Sequence, residues 1–121
     1  MAMDDFFTTR EVDGVAIVTF QQPQILDAVT IERMAAGLKE LLNRQSQDRV
    51  VFDFANVTYL SSSALGMLIG LQRRALQGKK QLKFAGIRDE IMEVFRITKL
   101  HTVFDIYKDI PSALEACRKG L

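Results

Sequence analysis

The segment 49-RVVFDF-54 constrains the fold most. It is short, β-branched and aromatic, with apolar residues at successive positions, which is the pattern of a strand covered on both faces. An amphipathic helix of about four turns precedes it: Ile31, Met34, Ala35, Leu38, Leu41 and Leu42 fall at helical spacing, and Asp27 is placed to cap their start. A second helix, Ser62 to Gln77, follows and is ended by Gly78, after which 81-QLKFAG-86 reads as another strand. Helices on either side of a doubly covered strand imply β-α-β crossovers, and crossovers make a sheet at least partly parallel.

The rest of the chain fits around this unit. In 10-REVDGVAIVTF-20, Asp13-Gly14 separates two alternating segments, the signal for a hairpin closed by a two-residue type I′ turn. Val15, Ile17 and Thr19 then face one side of the second strand, and Ala16, Val18 and Phe20 the other. A loop with Pro23 leads into the first helix. Residues 88-RDEIMEVFRITKL-100 form a third helix with Ile91, Val94 and Phe95 on one face, 103-VFDIY-107 a short last strand, and Pro111 opens a C-terminal helix carrying Leu114 and Cys117. The order β-β-α-β-α-β-α-β-α predicts an α/β fold, with a four- to five-stranded mixed sheet and about four helices packed against it.

Composition bounds the function. The 121 residues, 48% hydrophobic, are expected to form one domain, 1–121, with no linker or repeat. Sixteen Lys plus Arg face fifteen Asp plus Glu, so nothing suggests a nucleic-acid footprint. One cysteine excludes an internal disulfide. No positive-then-apolar leader is visible, which makes the cytoplasm the expected compartment. The longest apolar run, Ala64 to Leu71, falls short of the roughly 20 residues that span a bilayer. The single histidine, His101, leaves no multi-histidine metal site or triad and is expected on a loop or surface. Without a GxGxxG or P-loop motif, no cofactor is expected and the chain does not read as an enzyme.

Three adjacent serines, Ser61, Ser62 and Ser63, stand where the second helix begins. One hydroxyl can cap the open backbone amides there. The same helix start, with its unpaired N–H groups and positive dipole end, also suits a phosphate, and phosphorylation adds about −1.5 to −2 charges. The two roles are compatible.

The run 51-VFDFANVTYLSSSALGMLIGL-71 resembles the signature of the STAS domain of sulphate transporters and anti-sigma factor antagonists. Asp53, Val57, Tyr59, Leu60, Ser62, Ser63, Leu65 and Gly66 fall in register with it, and 98-TKLHTVFDIYKDIPSAL-114 extends the likeness towards the C-terminus. The motif's Asp is Ser61 here, and its first Gly is Ala64. The resemblance implies a single-domain STAS fold and an anti-sigma factor antagonist, a binding protein that catalyses nothing. Ser62 is then the phosphorylation site, with Ser63 and Ser61 as alternatives. The implied partners are an anti-sigma factor that is a serine-protein kinase of histidine-kinase-like fold, and a serine phosphatase that resets the switch. Ser61, Ser62, Ser63, Ala64 and Met67 form the implied partner-binding surface. A second branch of the family implies instead an unphosphorylated STAS subunit bound to the ATPase of a membrane lipid transporter.

Other residues take structural readings. Cys117 is expected on the inner face of the last helix as a buried, inert thiol. Arg73, Arg74, Lys79, Lys80 and Arg88 are expected to gather near the C-terminal end of the second helix and the neighbouring loop, as a solvated face complementing its dipole rather than a binding patch. Ala64, Met67 and Gln72 are expected to include surface positions of that helix, and Met67 fits core or contact equally.

Overall fold

The computed structural model describes residues 6–44 and 48–120. Five strands form a mixed sheet in the order β1-β2-β4-β6-β7: β1 (Phe7–Val12), β2 (Val15–Phe20), β4 (Arg49–Asp53), β6 (Gln81–Ala85) and β7 (Asp105–Tyr107). β1 and β2 pair antiparallel, whereas β2–β4, β4–β6 and β6–β7 are parallel. Asp13 and Gly14 both take positive φ (54° and 80°), the requirement of the type I′ turn read from the sequence. The crossovers are helices α1 (Ala28–Asn43), α2 (Ser62–Gln77) and α3 (Asp89–Ile97), and α4 (Ile110–Arg118) ends the fold.

Alternation along β2 divides the core. Ala16, Val18 and Phe20 join the larger cluster with Met34, Leu38 and Leu42 of α1, Leu68 and Leu71 of α2, and Ile91 and Phe95 of α3. Val15 and Ile17 face the other side, where Val51 and Ala85 meet Ala113 and Cys117 of α4. Cys117 is therefore on the inner face as expected, and burial pushes its thiol pKa up, which disfavours the nucleophilic thiolate. An aromatic row, Phe20, Phe52, Phe84 and Phe104, crosses the larger core with successive ring centroids 5.4, 5.6 and 4.4 Å apart.

Two short strands escaped the sequence reading. β3 (Gln24–Ile25) and β5 (Tyr59–Leu60) pair in parallel as a separate two-stranded sheet inside what read as a loop and a link. Two residues are too few to show a period. A 3₁₀ turn at Leu100–Thr102, bearing the exposed His101, also joins α3 to β7.

Two helices are capped by carboxylates. Asp27 accepts from the Thr30 amide (2.9 Å) and Asp109 from the Ser112 amide (2.9 Å). For Asp27 the Thr30 amide, and for Asp109 the Ser112 side chain, is the leading cause that holds the carboxyl below its ordinary value. A depressed folded-state pKa stabilises above the unfolded carboxylate range, and the gain disappears as pH falls through the folded-state value. Thermal unfolding monitored across pH 2 to 6, roughly the range bracketing these carboxyls, should show a shallower acid limb for Asp27→Asn and Asp109→Asn than for wild type.

Candidate functional site

β4 ends at Asp53, and the chain turns back over the sheet to reach α2. Main-chain carbonyls pin this link. The Thr58 and Tyr59 amides donate to Pro23 O (2.7 and 3.2 Å), the Ser61 amide to Ile25 O (3.0 Å), and the Phe54 amide to Ala85 O (3.0 Å). Asp53 Oδ1 accepts from the Ala55 amide (3.0 Å), and Arg88 Nε donates to Ala55 O (2.9 Å). Gly86 has a positive φ of 68°, and a Cβ there would lie 3.0 Å from Asp53 Oδ1. Only glycine lets β6 leave the sheet this close to the Asp53 turn.

Ser61 is the N-cap of α2: its backbone is extended, and its Oγ accepts from the Ala64 amide at 3.2 Å. Ser62 and Ser63 begin the helix and are exposed. The first turn of α2 contains no acidic side chain, so its positive dipole end has only a neutral cap. Across the short β3–β5 ladder, Leu26 follows Ile25, whose carbonyl holds the Ser61 amide. Leu26 (48% exposed) and Tyr59 (53%) place apolar surface beside the serine turn, and Val29 (56%) is exposed in the first turn of α1.

The structure sorts the implied contact residues. Ser62 and Ser63 are open to solvent and Ser61 is half-buried by its capping bond. Met67 is half-buried against the larger core, serving both readings. Ala64 is corrected: it is fully enclosed, because the third position after the cap turns inward onto the sheet, and no partner can touch it. Gln72, also expected near the surface, is buried as well. The open stripe of α2 runs instead through Ser63, Gly66, Gly70 and Arg73. At both glycines a Cβ would meet nothing within 4 Å, so a partner's chain can approach the helix backbone there. Their spacing of four in 66-GMLIG-70 was the signal for this surface.

The cations divide between the two ends of the sheet. Arg74, in the last turn of α2, bonds Asn43 Oδ1 (3.2 Å), and Lys80, past its end, bonds Arg44 O (2.7 Å), both where α1 and α2 terminate. Arg88 lies at the other end, tied to the Asp53 link, because β6 carries the chain across the sheet between them.

With the cap assigned to Ser61, Ser61→Ala should cost about 1 kcal/mol of stability. Ser62→Ala and Ser63→Ala remove no such bond and should stay within about 0.5 kcal/mol of wild type. Urea titrations of the three variants distinguish these outcomes.

Comparison with known proteins bears on this geometry. The STAS domain family matches residues 7–113. An anti-sigma-B factor antagonist of Staphylococcus aureus is 30% identical over 81 residues, covering 67% of this chain and 74% of that relative. The crystal structure of an anti-sigma factor antagonist from Mycobacterium paratuberculosis has a TM-score of 0.80 at 22% identity, covering 93% of this chain and 92% of its own. The phosphorylated form of the Bacillus cell fate determinant SpoIIAA has a TM-score of 0.66 at 15% identity, covering 95% of this chain and 99% of its own. The two structures speak to the fold alone.

Proposed function

Because this chain belongs to the STAS domain family, we propose that it is an anti-sigma factor antagonist, a cytoplasmic binding protein whose residues 1–121 act as one domain. The observation that carries the reading is Ser62, exposed at the first position of α2, next to a Ser61 whose hydroxyl is already engaged as the cap. Curated relatives at 30% and 22% identity are named anti-sigma-B factor antagonists. The partner is an anti-sigma factor that is also a serine-protein kinase of histidine-kinase-like fold. It transfers the γ-phosphoryl of ATP to Ser62 Oγ and releases ADP, and a serine phosphatase removes the phosphate by hydrolysis.

The chemistry of the turn supports such a switch. The unmodified surface pairs small, open backbone at Gly66 and Gly70 with the apolar side chains of Leu26 and Tyr59. A phosphate on Ser62 sets about −1.5 to −2 charges beside them. A partner that excludes water from these side chains would then bury an anion without a counter-ion, which is costly. The helix start meanwhile favours the phosphate in the free protein. Both effects drive release. Membership of a lipid transporter's ATPase complex is not favoured, since the curated relatives are antagonists.

Parallel affinity captures with wild type, Ser62→Asp and Ser63→Asp test the proposal. Wild type and Ser63→Asp should retain a histidine-kinase-like ATPase, and Ser62→Asp should lose it with its melting temperature within a few degrees of wild type. Equal retention by Ser62→Asp and wild type would sink the Ser62 switch.

A further inference from the structure

At the end of the sheet opposite the serine turn, two hollows meet at shared side chains. The larger, an open cleft of about 680 Å³, lies between the starts of β4 and β6, the turn after α2 and the C-terminus of α4. Its walls carry Arg49, Lys79, Arg118 and Lys119 against a single acid among the described residues, Asp48, which lies 3.7 Å from Lys80 Nζ. The smaller, about 260 Å³, is lined by the apolar Val15, Pro111 and Leu114 and by two acids, Asp13 and Glu115. Arg49 and Arg118 line both. A cationic cleft thus opens, through two guanidinium-bearing residues, onto a hollow with an apolar patch of three side chains and two carboxylates.

Several details make this more than a solvated face. Arg49 is half-buried, with its Nη1 held by Cys117 O at 3.4 Å, so it is positioned before any ligand arrives. Gln81, on the cleft wall, has its Oε1 enclosed with no hydrogen-bond partner among the described residues. Rotating that amide would present its two N–H donors instead. Lys79 takes φ +58° directly after Gly78, a left-handed conformation that favours glycine. A lysine is thus kept where glycine would suit the backbone better, at a position that lines the cleft. Glu115 pairs with Arg118 and, at 3.5 Å, with Lys119, but exposed pairs within one helix are weak and a divalent anion can displace them.

We infer that this double hollow binds a phosphomonoester bearing an apolar group, with the phosphate on Arg49, Arg118, Lys79 and Lys119 and the apolar group against Val15, Pro111 and Leu114. Guanidinium forks match phosphate oxygens in pairs, which favours phosphate over a spherical anion. The site is remote from the serines and does not depend on the reading given to them. Such a ligand could be a soluble phosphate ester or a phospholipid headgroup with its first chain atoms.

Titrating the full chain with inorganic phosphate and with phenyl phosphate, and following backbone amide signals by NMR, tests the inference. Saturable shifts are expected at Val15, Lys79, Leu114 and Gly120, with phenyl phosphate binding about tenfold tighter, since its ring leaves water. Arg118→Gln should weaken phenyl phosphate about tenfold or more. Lys79→Gly should melt higher, by relief of its backbone, and yet bind several-fold more weakly, so loss of binding cannot be mistaken for loss of fold. Sedimentation with phosphatidylcholine vesicles, with and without phosphatidylglycerol, separates the sources. Retention only on the anionic vesicles, lost in Arg118→Gln, assigns the headgroup, and a soluble response without retention assigns a free ester. Absence of both responses, shifts centred on Ser62, or unchanged affinity in both variants would overturn the site.

Discussion

Phe84→Ala should lower the free energy of unfolding by about 3–5 kcal/mol. Phe84 is fully buried on the interior strand β6 and lies within the aromatic row. Its ring stacks on Phe104 at 4.4 Å and on Phe54 at 5.5 Å, and meets Phe52 at 5.6 Å. Removing it strips three aromatic neighbours of contacts at once, and strand β4 and the loops that carry Phe54 and Phe104 must move to close the gap. Phe84→Leu keeps most of the volume and should lose less than half as much. In guanidinium titrations the midpoint should fall while the slope stays constant, the sign that stability and not compactness has changed. The effect also bears on the site, because the residue after Phe84 supplies the carbonyl that holds the Phe54 amide at the root of the serine link.

An asymmetric result is expected at Lys83 and Asp105. Lys83 is 1% exposed on the sheet face under α4, with its Nζ 2.7 Å from Asp105 Oδ2 and 5.2 Å from the centre of the Tyr107 ring. Burial, then the Asp105 charge, raise the Tyr107 hydroxyl pKa, with Lys83 opposing. Asp105→Ala leaves an ammonium enclosed without its carboxylate and should cost about 2–3 kcal/mol, below the 3–5 of a wholly buried pair because Asp105 is half exposed. Lys83→Met frees only a carboxylate that can be hydrated, and should stay within about 1 kcal/mol of wild type. Adding Lys83→Met to Asp105→Ala should recover most of the loss. Equal losses in the two single variants would mean that the pair contributes more than its desolvation costs.

Where one element dominates its own surroundings, the chain was legible. Asp13-Gly14 can close only a tight hairpin, RVVFDF can only lie between two layers, and Ser61 and Gly78 bracket α2 at the bounds read from the sequence. What escaped depends on partners distant along the chain. Gln24–Ile25 and Tyr59–Leu60 become strands only because they find each other, and neither has a pattern of its own. Lys83 sits in a run that otherwise reads as a covered strand, and nothing local announces that Asp105 will meet it. At the site, the serine cap was expected but not which hydroxyl makes it. Ala64 and Gln72 were misplaced because periodicity identifies a helix more readily than it fixes which way the helix is rotated on the sheet.

The bonds that hold the serine turn run to the main-chain carbonyls of Pro23 and Ile25. Side-chain changes at the cap can therefore be tolerated without letting the turn go, which accounts for a serine where the motif has an aspartate. A turn anchored in this way is also preorganised. A docking partner meets a finished surface and spends little free energy on ordering it, so affinity is set by complementarity rather than by loop entropy. Charge added there would be registered as a change in local potential on an unaltered shape, a signal that acts mainly by hastening dissociation.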